Sequence, residues 1–169
     1  MKILGIETSC DETALALFEK EKLLYSKVSS HIVHKNYGGV VPELASREHD
    51  KILPQLFKDC FKTVDYSSNE LDLIAVTQGP GLAGSLISGA SFAKGLSLAL
   101  NIPIIGINHL EAHIFANILS DPKLSFPFVC LLVSGGHTQL WYVKGLSKYK
   151  LLGETRDDAA GEAFDKGAR

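Results

Sequence analysis

Cysteine is scarce in this sequence, and long hydrophobic runs are absent from it. The three cysteines, Cys10, Cys60 and Cys130, are odd in number and far apart, which argues against a disulfide framework and against a zinc site made of cysteines. No stretch approaches the roughly 20 uninterrupted apolar residues of a membrane span. The first residues become polar at position 7, unlike a signal peptide. These absences favour a reduced, cytoplasmic protein that does not enter a membrane.

An excess of charge of one sign is lacking as well. The chain has 17 Lys and Arg against 19 Asp and Glu, a net charge of −2, and no long basic block. An RNA partner would therefore need a local surface or one on another chain. The composition is instead rich in apolar residues, with 46% hydrophobic residues and a mean hydropathy of +0.11. That balance, over 169 residues, fits a well-buried globular protein of one domain or slightly more.

Hydrophobic periodicity predicts an alternation of strands and helices. The first part reads as strands at 2–7, 13–18 and 24–29, a helix at 43–63 that Pro42 begins, a strand at 71–77, a helix to 100, a strand at 102–107 and a helix to about 119. The remainder reads as strands at 128–133, 138–142 and 151–154, followed by a helix that begins near 157.

The opening pattern of strand, polar turn and strand occurs twice. Thr13-Ala-Leu follows the first turn, and Thr138-Gln-Leu follows the second. Such an echo indicates two equivalent turns in two equivalent lobes. We expect residues 1–120 to form a complete lobe and residues 126–169 to begin a second lobe that is truncated.

One glycine motif resembles a dinucleotide site and fails as one. Gly79 to Gly84 reads G-x-G-x-x-G between a strand and a helix, but no acidic residue lies between Asp72 and Glu111 to bind a ribose. Pro80 also removes one amide that a phosphate would use. We interpret these glycines as permitting close packing of the helix against the strand.

Two features between residues 102 and 138 could bind a ligand: a pair of histidines and a glycine-containing turn. His109 and His113 are four residues apart at the start of a helix, so their imidazoles share one face and could bind a metal. The turn Ser134-Gly135-Gly136 ends an apolar strand, and its backbone N–H groups could hold an anion.

The histidine pair and the Ser-Gly-Gly turn each also have an interpretation that involves no ligand. Two histidines at helical spacing arise by chance, and Leu110 stands where a zinc protease motif requires Glu. The Ser-Gly-Gly run is equally a simple hairpin turn.

The other polar candidates are weaker. Glu7, Ser9, Asp11 and Glu12 are typical turn residues, although Asp11 could steer a cation or a water near phosphates. We expect His34 and His49 to be surface or rim residues.

Four motifs give the sequence a specific resemblance. They are the run from Lys94-Gly95 to His109-x-x-Ala112-His113-Ile114, GIETSCDET at 5–13, YGGVVPELASR at 37–47, and LVSGGHT at 132–138 together with DDAAGEAFDK at 157–166. Over essentially its whole length the chain resembles the universal tRNA threonylcarbamoyladenosine transferase family, long labelled O-sialoglycoprotein endopeptidase. Members of that family are about twice as long, and most of the second lobe is what this chain lacks.

The resemblance implies an α/β fold of the actin/Hsp70/sugar-kinase type, with duplicated ribonuclease-H-like lobes. It implies transfer of a threonylcarbamoyl group from threonylcarbamoyl-AMP to the exocyclic amine of the adenosine after the tRNA anticodon. Implied partners are tRNA, a paralogous subunit and an ATPase subunit of the same complex, with a homodimer as a further option.

The resemblance also implies a site. His109 and His113 would bind one iron or zinc ion together with an Asp from the absent half. Leu132, Val133, Ser134, Gly135, Gly136 and Asp165 would contact the adenylate. The chain alone would then be an inactive part of an enzyme. The alternative is a non-catalytic paralogue that serves as a dimerisation platform, and no machinery for peptide cleavage is recognisable.

Overall fold

The computed structural model describes residues 1–168, apart from the side chains of residues 35 and 36. Its strands are β1 (Lys2–Glu7), β2 (Glu12–Glu19), β3 (Lys22–Ser30), β4 (Leu73–Gly79), β5 (Ile104–Asn108), β6 (Phe128–Val133), β7 (Thr138–Gly145) and β8 (Lys148–Glu154). Its α-helices are α1 (Pro42–Val64), α2 (Ala83–Leu100), α3 (His109–Ser120) and α4 (Ala160–Gly167). Every predicted strand and helix occurs, with ends displaced by at most three residues.

The chain divides into two compact units, Met1–His109 and Leu110–Arg169. The division falls after the first residue of α3, whereas the sequence placed that whole helix in the first lobe. The predicted lobes, 1–120 and 126–169, stay a prediction, and Arg169 lies outside the described residues. No helix within residues 1–168 is long and apolar enough to cross a bilayer.

The first unit is built on a five-stranded sheet in the order β3-β2-β1-β4-β5. The strands β1, β4 and β5 run parallel, while β2 and β3 are antiparallel to their neighbours. Helix α1 packs against β2, α2 packs against β4, and the two helices pack against each other. The resulting core includes Leu4, Ile6, Leu15, Leu17, Leu53, Leu56, Ile74, Val76 and Ala93.

The second unit contains an antiparallel sheet in the order β6-β7-β8. Leu132 of β6 and Val143 of β7 are buried together with Ile114 of α3. The aromatic side chains of Phe128, Trp141 and Tyr149 pack around these three. This small core fixes β6, and therefore the turn that follows it.

The expectation that His34 and His49 lie at the surface is wrong. Both are buried, with 7% and 0% of their surface exposed, and His31 beside them is 6% exposed. His49 lies on the stripe of α1 that faces the core, one turn from both Ala45 and Leu53. The stripe therefore carries a polar residue into the interior, where it needs partners.

Thr13 supplies the partner that joins two of these histidines. Its Oγ1 lies 2.8 Å from His49 Nδ1 and 2.9 Å from His31 Nε2. His49 Nε2–H donates to the carbonyl oxygen of Cys10 at 3.1 Å, so its Nδ1 accepts from the Thr13 hydroxyl. The Thr13 oxygen then accepts from His31 Nε2–H. This chain of bonds ties α1 to the turn after β1 and requires the His49 ring to be neutral, because its Nδ1 acts as an acceptor.

Stability should therefore depend on pH through this cluster. Burial lowers the pKa of both His31 and His49, whereas histidines of the unfolded chain titrate near about 6.5. Below that pH the unfolded state binds more protons, so stability is lost as pH falls from 7.5 to 5.5. His31→Gln should make the loss shallower than it is in the wild type and in His137→Gln, a control in the hairpin turn after β6. Urea unfolding at several pH values measures this, and equal slopes in all three proteins would contradict it.

Candidate functional site

Three polar side chains meet where the parallel strands of the first unit end. Because β1, β4 and β5 are parallel and adjacent, their carboxyl ends lie at one edge of the sheet. Glu7 ends β1, Thr77 lies near the end of β4, and His109 follows β5 directly. The topology thus brings together residues that are up to 102 positions apart.

Glu7 accepts hydrogen bonds at both carboxylate oxygens. Its Oε1 accepts from the N–H of Ser9 at 2.5 Å, and its Oε2 accepts from Thr77 Oγ1 and lies 3.2 Å from His109 Nδ1. Burial by itself would raise the pKa of Glu7, but hydrogen bonds from His109, Ser9 and Thr77 outweigh it and lower the pKa to about 2. The site therefore holds a fixed negative charge at neutral pH.

The turn after β1 is held against the start of α2. A methyl group added at Gly81 would lie 2.5 Å from the carbonyl oxygen of Ser9, so only glycine permits this approach. That same oxygen accepts from the N–H of Leu82 at 2.8 Å, and the Cys10 carbonyl accepts from Ser85 Oγ at 3.1 Å. Close packing therefore explains Gly81, but against the turn after β1 and not against a strand, while a side chain at Gly79 would meet no atom within 4 Å.

Asp11 lies in this turn and is half-buried. Its carbonyl oxygen accepts from the N–H of His31 at 3.0 Å, which links the turn to the histidine cluster. The role of its carboxylate beside a phosphate stays a prediction.

The predicted metal ligands lie on one helix. His109 is the first residue of α3, and His113 follows one turn later. His109 Nδ1 lies 3.2 Å from Glu7 Oε2 and 3.3 Å from Ser9 Oγ. An imidazole whose second nitrogen meets a carboxylate is the usual arrangement behind a metal ligand.

The donor set fits part of a metal site. Imidazole nitrogens suit iron and zinc, but a catalytic metal normally has three protein ligands. Among residues 1–168, no group of three His, Cys, Asp or Glu residues is arranged to hold a metal ion. The third ligand, an Asp from the absent half, stays a prediction.

The turn after β6 closes tightly through Ser134 and His137. The N–H of Ser134 donates to the carbonyl of His137 at 2.8 Å, and the N–H of His137 donates to Ser134 Oγ at 3.0 Å. Gly135 and Gly136 are exposed, and their amides have no acceptor among the described residues. Backbone N–H groups in such a turn can donate to an anion.

Helix α4 begins directly against this turn. A methyl group at Gly161 would lie 2.7 Å from the carbonyl oxygen of Ser134 and 2.8 Å from the Cα of Gly135. The N–H of Gly161 donates to that carbonyl at 3.3 Å, and the N–H of Ala160 donates to Thr138 Oγ1 at 2.8 Å. Asp165 is exposed and lies four residues after Gly161, on the same face of α4.

The two strand residues of the predicted adenylate site differ in environment. Leu132 is buried in the core with Ile114 and Val143, whereas Val133 is 54% exposed. A ligand contact from Leu132 would therefore come from its backbone.

The cysteine thiols are not activated. Cys10 is exposed at the surface, yet partial desolvation of its thiol and the adjacent carboxylate of Asp11 raise its pKa to about 11. Burial also raises the pKa of Cys60 to about 11 and that of Cys130 above its usual value. Because the thiolate is the nucleophile, none of the three resembles the nucleophile of a peptidase.

Sequence reasoning missed three residues of these sites. It treated Glu7 as a turn residue and did not single out Thr77 or Gly161. The signal available for the first two was that each ends a predicted parallel strand, since such ends meet at one sheet edge. Gly161 gave no signal beyond its position at the start of a predicted helix.

Solved structures with low sequence identity share this fold. YeaZ from Pseudomonas aeruginosa matches with a TM-score of 0.62 at 16% identity, covering 92% of this chain and 68% of that chain. The ethanolamine utilization protein EutJ from Carboxydothermus hydrogenoformans matches with a TM-score of 0.54 at 13% identity, covering 94% and 52%. Both are actin-like, which confirms the predicted α/β fold class.

Sequence relatives are much closer. The tRNA N6-adenosine threonylcarbamoyltransferase of Thermosipho melanesiensis is 58% identical over 170 residues, covering 100% of this chain and 52% of that protein. The protein of that name from Nitrosomonas europaea is 56% identical over 174 residues, covering 100% and 51%. This chain thus spans about half the length of these curated relatives. The family model for TsaD, tRNA N6-adenosine threonylcarbamoyltransferase, matches residues 22–169, and the chain belongs to that family.

Proposed function

We propose that this sequence is the N-terminal part of an enzyme that transfers a threonylcarbamoyl group to tRNA. The donor is threonylcarbamoyl-AMP, and the acceptor is the exocyclic amine of the adenosine that follows the anticodon. The observation that carries the proposal is the pair of exposed amides at Gly135 and Gly136 in a chain of this family. "Full-length protein" below means this sequence continued to the length of its relatives.

The adenylate binds at the turn after β6. The amides of Gly135 and Gly136 donate to its phosphate, with Ser134 and the backbone of Leu132 and Val133 completing the strand-end surface. Asp165 contacts the ligand from α4, where its helical register with Gly161 places it on the face that meets the turn. Asp11, in the turn after β1 of the first unit, would steer a cation or a water near phosphates.

The chemistry needs little from protein side chains. The donor is a mixed anhydride whose AMP leaving group is already good, so the protein must chiefly orient the donor against a weak amine nucleophile. Amide donors fixed before the reaction stabilise negative charge without reorganising. An iron or zinc ion held by His109 and His113 would supply Lewis acidity toward the carbamoyl carbonyl.

The remaining parts of the proposal concern partners. The tRNA, a paralogous subunit and an ATPase subunit would complete the machinery, and a homodimer is a further option. We place the protein in the cytoplasm. Binding tRNA requires positive charge, and this chain has a net charge of −2. Other chains, or the rest of this protein, would therefore bind much of the tRNA.

A non-catalytic paralogue that acts as a dimerisation platform is the second candidate. A platform needs neither the histidine pair of α3 nor an anion-binding turn, yet this chain has both. Adenylate binding by the full-length protein separates the two functions, because a platform would not bind the adenylate.

Gly135→Val in the full-length protein should weaken adenylate binding strongly. A side chain at this position meets no protein atom within 4 Å, so the fold should persist while the ligand loses its space. Gly153→Val in β8 is a matched control, because its side chain also enters open space, and its binding should equal wild type. Isothermal titration calorimetry measures both, and unchanged binding by Gly135→Val would count against the site.

Replacing both His109 and His113 by Ala in the full-length protein should reduce bound metal to background and abolish tRNA modification. Asn117→Ala, one turn further along α3, should keep both. In the wild type, metal affinity should fall as pH drops below about 6.5, the ordinary histidine pKa, because protonated imidazole cannot ligate. The 169-residue chain alone should bind metal poorly and be inactive.

Elemental analysis and a tRNA modification assay test these statements together. Wild-type metal content and wild-type modification in the double variant would mean that the histidines are structural.

A further inference from the structure

Glu7 stands at the centre of a hydrogen-bond cluster that joins β1, β4 and the start of α3. Its carboxylate receives the N–H of Ser9, the hydroxyl of Thr77 and a contact from His109 Nδ1. The side chains of Glu7 and His109 are 32% and 25% exposed, so the cluster is partly shielded from water. None of these contacts is needed to hold β1 in the sheet, because its backbone already pairs with β2 and β4.

The carboxylate favours a proton on Nδ1 of His109. An ionised carboxylate accepts hydrogen bonds and cannot donate one. Glu7 Oε2 lies 3.2 Å from His109 Nδ1, so a lone pair on Nδ1 would face a negative oxygen. A proton on Nδ1 turns that repulsion into a charge-assisted hydrogen bond.

Ser9 offers the competing arrangement. Its Oγ lies 3.3 Å from the same nitrogen, and a hydroxyl could donate to Nδ1 and favour the opposite tautomer. The Glu7 carboxylate is the stronger partner of Nδ1, because it is charged, slightly closer than the Ser9 hydroxyl, and held by Thr77 and the backbone of Ser9. The Ser9 oxygen then serves as a second acceptor for Nδ1–H.

We propose that Glu7 is a positioning residue that fixes His109 as the Nδ1–H tautomer. The lone pair of the ring then lies on Nε2, the nitrogen that would ligate a metal ion. Carboxylate–histidine–metal arrangements of this kind raise the basicity of the ligand and lock its orientation. The statement about the metal rests on the proposed function, whereas the statement about the tautomer does not.

The tautomer can be measured without any metal. The 169-residue chain, labelled with ¹⁵N-histidine and treated with a chelator, is studied by long-range ¹H–¹⁵N correlation spectroscopy at pH 8. Protonated and unprotonated ring nitrogens give clearly different ¹⁵N shifts, so His109 reports its tautomer directly. His109→Gln assigns the signal.

Three variants separate the role of Glu7 from general effects. Glu7→Gln keeps the size of the side chain but removes its charge, and its amide can donate to Nδ1, so the population should move toward Nε2–H. Ser9→Ala removes only the competing hydroxyl and should leave the Nδ1–H tautomer in place. Glu21→Gln, in the exposed turn between β2 and β3, controls for loss of one negative charge and should change nothing.

Metal affinity of the full-length protein gives the second readout. With zinc as the probe, Glu7→Gln should bind about 10–100-fold more weakly than wild type, while Glu21→Gln should match it. A purely structural role for Glu7 would lower the unfolding midpoint without changing the tautomer.

Each outcome decides the proposal. Nδ1–H in the wild type together with a shift toward Nε2–H in Glu7→Gln supports it. An Nε2–H tautomer in the wild type overturns it, even if Glu7→Gln fails to fold, and so does an unchanged tautomer in a folded Glu7→Gln. If the wild-type full-length protein binds neither zinc nor iron, the metal part of the proposed function fails, while the tautomer result still decides the role of Glu7.

Discussion

Backbone packing at Gly81 holds the turn after β1, and the polar cluster of the first unit depends on it. The Ser9 carbonyl sits so close to Gly81 that a single methyl group would force the two segments apart. Because Ser9 is held there, its N–H can donate to Glu7 and its hydroxyl can approach His109. The backbone contact between Gly81 and Ser9 has no catalytic role itself, but it sets the positions of Glu7 and His109 relative to Ser9.

The second unit contains the same kind of contact, a glycine at the start of a helix packed against a turn. Gly161 at the start of α4 lies against Ser134 and Gly135, where a methyl group would again meet backbone atoms at less than 3 Å. In both units a hairpin turn at the end of a strand packs against the beginning of a helix through glycine. The short sequence similarity between the two turns therefore corresponds to a shared packing contact. Each turn is held in place by this contact, and its remaining amides and side chains can face a ligand.

Periodicity sufficed for the strands and helices, since alternation in β2 and the apolar stripe of α1 are local signals. What it missed depends on contacts between distant residues. His49 bonds to Thr13 and Cys10, and only its place on the buried stripe of α1 indicated an interior position. Glu7 and His109 meet because β1, β4 and β5 are neighbours in the sheet, an order that no single strand pattern reveals. The histidine pair and the Ser-Gly-Gly turn were recognisable because spacing and residue type alone define them.

We propose that the backbone N–H groups of Gly135 and Gly136, in the turn after β6, bind the phosphate of an acyl adenylate. A crystal structure of the full-length protein with a non-hydrolysable analogue of threonylcarbamoyl-AMP tests it most directly. Phosphate oxygens should lie about 3 Å from the backbone nitrogens of Gly135 and Gly136. An analogue bound elsewhere, with both amides still facing solvent, would contradict it.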